Sequence, residues 1–112
     1  MTSEKKGKTR EDIVRFIGMV VQKQNWRLNP DAEFLSYLID GLLINYNRYG
    51  YFSCPCRDAV GNREKDEDII CPCKYCRPDQ EQYGHCFCGL YATPDFFESG
   101  RIPKSIPDRK IY

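Results

Sequence analysis

The chain has 112 residues, 17 basic against 16 acidic side chains for a net charge of +1, 41% hydrophobic residues and seven cysteines. That length supports one compact domain with a modest core, which a covalent or metal cross-link would help. The near-neutral charge gives no field for tracking a phosphate backbone, and the longest apolar runs, such as Ile69-Ile70 and Leu42-Leu43-Ile44, fall far short of the ~18 residues a membrane span needs. Nucleic-acid binding and membrane insertion are therefore set aside.

Residues 1–8 are polar, basic and Gly-containing and read as a disordered lead-in to a single domain over residues 9–112. Thr9 with Asp12 three positions on forms a box-like helix start, and Ile13, Phe16, Ile17, Val20 and Val21 recur at helical spacing up to a stop near Asn25. Asn29-Pro30 marks a second start, with Phe34, Leu35, Leu38, Leu42 and Tyr46 as its buried face and Gly50 as its stop. The two helices should pack on each other. Beyond them, short helical pieces are expected around Glu64–Ile70, just after Pro78, and from Thr93-Pro94 to Gly100. The tail from Arg101 to Tyr112, interrupted by Pro103 and Pro107, should run extended over the surface. The fold class expected is a small, mostly α domain of short helices and turns.

All seven cysteines lie between Cys54 and Cys88. An odd number, with no apolar stretch after the basic start to act as a signal peptide, argues against a secreted disulfide scaffold and for a reducing, cytoplasmic setting. There, cysteines bind metal or do redox chemistry. Six of them form three Cys-x-Cys units, Cys54-Pro55-Cys56, Cys71-Pro72-Cys73 and Cys86-Phe87-Cys88, separated by 14 and 12 residues, with Cys76 left over. Soft thiolates select zinc, copper(I) or an iron–sulfur cluster. The spacing within each unit is tighter than the two to four residues usual for zinc fingers. A four-iron cluster takes four thiolates, so three would be spare. A chemistry that uses spare thiols is disulfide reduction, in which a dithiol attacks a disulfide and is then re-reduced. A cluster donor near −400 mV lies about 130 mV below a thioredoxin couple, roughly 6 kcal/mol for two electrons.

Cys54-Pro-Cys-Arg57, Ile70-Cys-Pro-Cys73, Cys86-Phe-Cys-Gly-Leu-Tyr91, Thr93-Pro-Asp-Phe96 and Ile102-Pro-Lys-Ser-Ile-Pro107 together resemble the catalytic (β) subunit family of ferredoxin:thioredoxin reductase, from about residue 9 to residue 107. The resemblance implies a [4Fe–4S] cluster at the centre of the fold, held by Cys54, Cys71, Cys73 and Cys86. It implies that Cys56 and Cys88 form the redox-active disulfide, with Cys56 attacking the incoming disulfide and Cys88 against the cluster. It also implies ferredoxin as donor, thioredoxin or a thioredoxin-like protein as acceptor, and a small partner subunit.

The chain departs from the family pattern in three places. Its spacers differ from the longer first and shorter second spacer of the chloroplast type. Phe87 stands where the family has a histidine, so the single histidine, His85, either moves protons from the other side of the backbone or is a hydrogen-bonding surface group. Cys76 either joins Cys71 and Cys73 as a third ligand or is a small buried residue with an inert thiol. Tyr49, Tyr51, Phe52 and Phe87 are read as core or as a dry shell for the cluster. Arg57, Lys74 and Arg77 could meet an acidic ferredoxin, and Arg63–Asp68 reads as a solvated helix face. Outside the reductase reading stand a zinc-stabilised interaction module and a simple iron–sulfur electron carrier.

Overall fold

The computed structural model describes residues 7–110. The first six residues of the expected lead-in and the last two of the tail lie outside that range. Helix α1, Arg10–Gln24, starts at a reciprocal capping box: the Thr9 side chain accepts from the Asp12 N–H, and the Asp12 carboxylate accepts from the Thr9 N–H. It ends where Asn25 turns left-handed at φ 60°. Helix α2, Ala32–Tyr49, ends at Gly50 with φ 86°. Its cap is Asp31 rather than Asn29, whose own N–H is engaged with the carbonyl of Leu90. The buried Asn29 side chain instead accepts from the Asp31 N–H and donates to the Gly89 carbonyl. The expected cap thus became a tie between the helical half and the third cysteine unit.

The two helices pack together through Ile13 and Ile17 on α1 and Leu38, Ile39 and Leu42 on α2, all 5% exposed or less. Each such side chain contributes about 1.5–3 kcal/mol on burial. Phe34, expected on that face, lies at its exposed edge. Between the helices, strand β1 (Arg27–Leu28) pairs antiparallel with β2 (Tyr91–Ala92), with Arg27 opposite Ala92 and Leu28 opposite Tyr91. These two-residue strands have no alternating pattern long enough to read in sequence.

The second half is held by short pieces. Glu67–Ile69 forms one turn of 3-10 helix, less than the expected piece over Glu64–Ile70. Helix α3, Cys76–Tyr83, begins two residues before Pro78, which sits in the first turn where its missing N–H does no harm. Gly84 ends it at φ 91°, and a Cβ there would fall 2.5 Å from the Phe96 ring. Helix α4, Pro94–Glu98, follows Thr93 as expected. Residues 101–110 carry no regular structure. The described residues form a small, mostly helical domain with four α-helices and one two-stranded sheet. Among the described residues, no helix is long and apolar enough to cross a membrane.

Of the Arg63–Asp68 stretch expected as a solvated helix face, Arg63, Glu64, Lys65 and Glu67 are exposed, but Asp66 is buried and Asp68 half-buried. Asp66 is 2% exposed and accepts from the Tyr51 hydroxyl and the N–H groups of Val60 and Gly61, while Asp68 accepts from Tyr75 and Lys110. A loop with no ladder of its own meets part of its backbone through the Asp66 carboxylate, while Asp68 ties it to two side chains.

Candidate functional site

Three local arrangements bring the cysteines together. An antiparallel bridge between Ser53 and Ile70, with the Cys54 N–H on the Ile69 carbonyl and the Cys71 N–H on the Phe52 carbonyl, sets the first two units side by side. The third unit occupies a tight turn in which the Gly89 N–H meets the Cys86 carbonyl and the Cys86 N–H meets the Tyr91 carbonyl. That turn is carried by β2, so the sheet fixes its height against the helical pair. Finally, the Cys76 N–H bonds the Cys73 carbonyl, feeding the second unit directly into α3.

One narrow pocket is lined by six of the seven cysteines, Cys54, Cys71, Cys73, Cys76, Cys86 and Cys88, closed by Leu90 and Tyr91. Cys56 does not line it. It is the one exposed cysteine, so the first unit splits into an inward and an outward thiol. All seven are free thiols in this structure. Cys88 is the junction. Its thiol lies 4.0 Å from that of Cys86 and also interacts with the thiols of Cys54 and Cys56. These bonds, those with Cys54 and Cys56 foremost, hold the Cys88 pKa well above the ordinary thiol value. Conversely, the bond from Cys88 lowers Cys54, and bonds from Cys76 and Cys88 hold Cys86 well below the ordinary value. The thiols of Cys71 and Cys73 are pushed up by burial, Cys73 to about 11.

The polar surroundings aim at sulfur. The Tyr91 hydroxyl lies 3.5 Å from Cys71 Sγ, its N–H 3.4 Å from Cys86 Sγ, and Gln80 Nε2 donates to Cys76 Sγ at 3.3 Å. Arg57 Nη1 reaches Cys73 Sγ at 3.4 Å and Cys54 Sγ at 3.7 Å, while its Nη2 is buried with no hydrogen-bond partner. A buried cation and several N–H donors turned on sulfur suit an anionic thiolate-bound group. Metal coordination would also deprotonate the thiols that burial alone keeps neutral. Among the described residues, no three His, Cys, Asp or Glu side chains are gathered as a single-ion site requires. The six thiols lining the narrow pocket are nonetheless the soft donor set that a thiolate-bound metal group takes.

Several expectations about neighbours change. Arg57 is not available to a partner: its side chain is wholly buried and paired with Asp108. Lys74 and Arg77 are exposed. His85 is neither a surface group nor turned to the thiols. It is 2% exposed, its Nε2 accepts from the Lys104 N–H at 3.2 Å, and its protonated Nδ1 therefore donates to the Cys86 carbonyl at 2.7 Å. Phe52 packs on Phe16 and Tyr46 as core, whereas Phe87 covers the Arg57 guanidinium inside the pocket. Sequence reasoning missed Asp108, Tyr91 and Gln80. Asp108 lies 51 residues from its partner, and no local pattern joins them.

A family model described as ferredoxin thioredoxin reductase catalytic beta chain matches residues 3–110 of the 112. The chain belongs to that family. The match spans the helical pair and all seven cysteines, and disulfide oxidoreduction is the chemistry its family represents. Among curated proteins, none matches the chain.

Proposed function

We propose that this ferredoxin thioredoxin reductase family member is a disulfide reductase that takes electrons from ferredoxin and passes them to thioredoxin or a thioredoxin-like protein in the cytoplasm. In this reading Cys54, Cys71, Cys73 and Cys86 hold a [4Fe–4S] cluster, and Cys56 with Cys88 is the working dithiol. The residues 9–112 act as one domain, and a small partner subunit is expected to accompany it.

The observation that carries the reading is the position of Cys88: buried among the pocket thiols, its sulfur 4.0 Å from that of Cys86, and electrostatically coupled to Cys54 and to the exposed Cys56. Cys56 alone can meet a protein-sized disulfide. Its thiolate attacks one substrate sulfur, forming a mixed disulfide and releasing the other substrate sulfur as a thiolate. Cys88 then attacks the Cys56 sulfur, freeing the second substrate thiol and leaving a Cys56–Cys88 disulfide. Two electrons and two protons restore the dithiol. When bound, the cluster supplies those electrons one at a time beside Cys88. Leu90, Tyr91 and Phe87 keep water from the pocket while the exchange proceeds at its rim.

Anaerobic purification followed by iron and sulfide analysis, absorption near 400 nm and differential alkylation tests the reading. The expected protein is brown, with about four irons per chain, and Cys56 and Cys88 become alkylatable only after reduction. A colourless zinc-loaded protein overturns it in favour of a structural module. A cluster with no reduction-dependent thiol overturns it in favour of a simple electron carrier.

A further inference from the structure

Arg57 follows the exposed Cys56, yet its side chain turns inward. Its N–H closes the turn of the first unit on the Cys54 carbonyl at 3.2 Å. The guanidinium, with no exposed surface, is layered between Phe87 and Tyr75, 4.3 and 5.0 Å from their ring centres. Its Nε donates to Asp108 Oδ1 at 2.8 Å, and Nη1 faces the sulfurs of Cys73 and Cys54. A buried guanidinium must be compensated. One carboxylate meets Nε, Nη1 faces the two sulfurs, and Nη2 is buried with no hydrogen-bond partner.

We propose that Arg57 is a positioning residue that fixes the charge at the Cys54 and Cys73 sulfurs, and that Asp108 of the C-terminal tail is its opposing partner. This rests on the cluster reading of the pocket. Hydrogen bonds to sulfur and net charge nearby set a cluster's potential. A fixed cation against two ligand sulfurs favours the reduced, more negative state, and the adjacent carboxylate opposes it. The tail does not depend on Asp108 alone, because Arg109 pairs with Asp79 at 2.5 Å and Lys110 with Asp68 at 2.8 Å. Removing the Asp108 charge therefore leaves Arg57 caged between its two rings with the tail still pinned.

The two charges predict shifts of opposite sign, which loosening of the structure would not produce. Spectroelectrochemical titration of the purified cluster protein should give a more negative midpoint for Arg57→Met and a more positive one for Asp108→Asn, with Arg57→Lys between Arg57→Met and the wild type. Equal midpoints, or shifts of the same sign in Arg57→Met and Asp108→Asn, overturn the inference. If Arg57→Met does not assemble, Asp108→Asn decides alone: a midpoint unchanged or more negative refutes it. A wild-type protein without a cluster instead refutes the reading of the site on which the inference rests, so the two failures are told apart by the iron content of the wild type.

Discussion

From Thr9 to Gly50 the chain is two helices of 15 and 18 residues, each closed by a side-chain cap at its start and a left-handed residue at its end. From Tyr51 to Lys110 the longest helix has 8 residues, and the backbone leans on carboxylates, ion pairs and turns around sulfur. The first region meets its backbone groups locally and buries one apolar stripe. The second buries Asp66, Asp79, Arg57 and His85 along with Cys54, Cys76, Cys86 and Cys88. Polar burial is tolerated only when each group has its partner, so the second region is specified by individual pairs, and removing one member costs more than removing a cap. The seven cysteines sit where the fold leans most on such pairs.

The largest effects should come from the sulfurs. Cys73→Ser is expected to lose most of its iron and to melt the cysteine-bearing half, because a ligand lost from a site coupled to folding is folding energy lost. Cys56→Ser should retain full iron and lose turnover, since its thiol stands outside the pocket. Cys76→Ala should keep its iron as well. Iron analysis beside a ferredoxin-driven thioredoxin reduction assay reads all three, and iron loss from Cys56→Ser would show that the split of the first unit is wrong.

Next in size is Asp66→Ala. It leaves the buried Tyr51 hydroxyl without its acceptor and hands the N–H groups of the exposed Val60 and Gly61 to water, and about 1–3 kcal/mol of stability should be lost, the cost of one unmet buried donor. Urea unfolding checks this. The pH dependence has a defined sign. Burial opposes the Asp66 charge, but its bonds from Tyr51, Val60 and Gly61 outweigh that and lower its pKa, while bonds from Lys110 and Tyr75 lower that of Asp68. A lowered carboxylate stabilises the fold above its ordinary value of 3.8, and the contribution is lost as pH falls through the lowered value. Asp79 runs the other way, raised by burial against Arg109, so its contribution weakens as pH rises above 3.8. Acid unfolding should therefore set in below pH 3.8 in the wild type, and the Asp66→Ala protein should lose part of that acid sensitivity.

These cases explain what was legible from the sequence. The capping box at Thr9, the stop at Gly50 and the apolar stripe of α1 are local, and a local pattern states them completely. The start of α2 was misplaced by two residues because Asn29 has a long-range use, the Gly89 carbonyl 60 residues away. The three Cys-x-Cys units were visible, and so was the family they resemble. That Cys54 faces in and Cys56 out depends on a pairing between residues 53 and 70 that no periodicity encodes. His85 and Arg57 were read by their types, and burial reversed both readings: a histidine became a strut between two backbone groups, and an apparent surface cation became the inner wall of the pocket.

The junction of the two regions gives a smaller and sharper test. At Gly41, in the middle of α2, a Cβ would come 2.7 Å from Pro55 Cβ, the proline between Cys54 and Cys56. Alanine at a helix interior gains about 1 kcal/mol over glycine, whereas forcing an atom into a packed contact costs about 1–3 kcal/mol. The contact wins narrowly, so Gly41→Ala should lower stability by about 1 kcal/mol despite its better helix propensity. It should also change the alkylation rate of Cys56, whose turn is displaced with Pro55. Gly18, where a Cβ meets nothing within 4 Å, is the control: Gly18→Ala should raise stability by about 1 kcal/mol and leave Cys56 untouched. Thermal melts paired with alkylation kinetics separate the two. A Gly41→Ala protein as stable as Gly18→Ala, with an unaltered Cys56 rate, would show that the helical pair carries the cysteine units without setting the position of the first one.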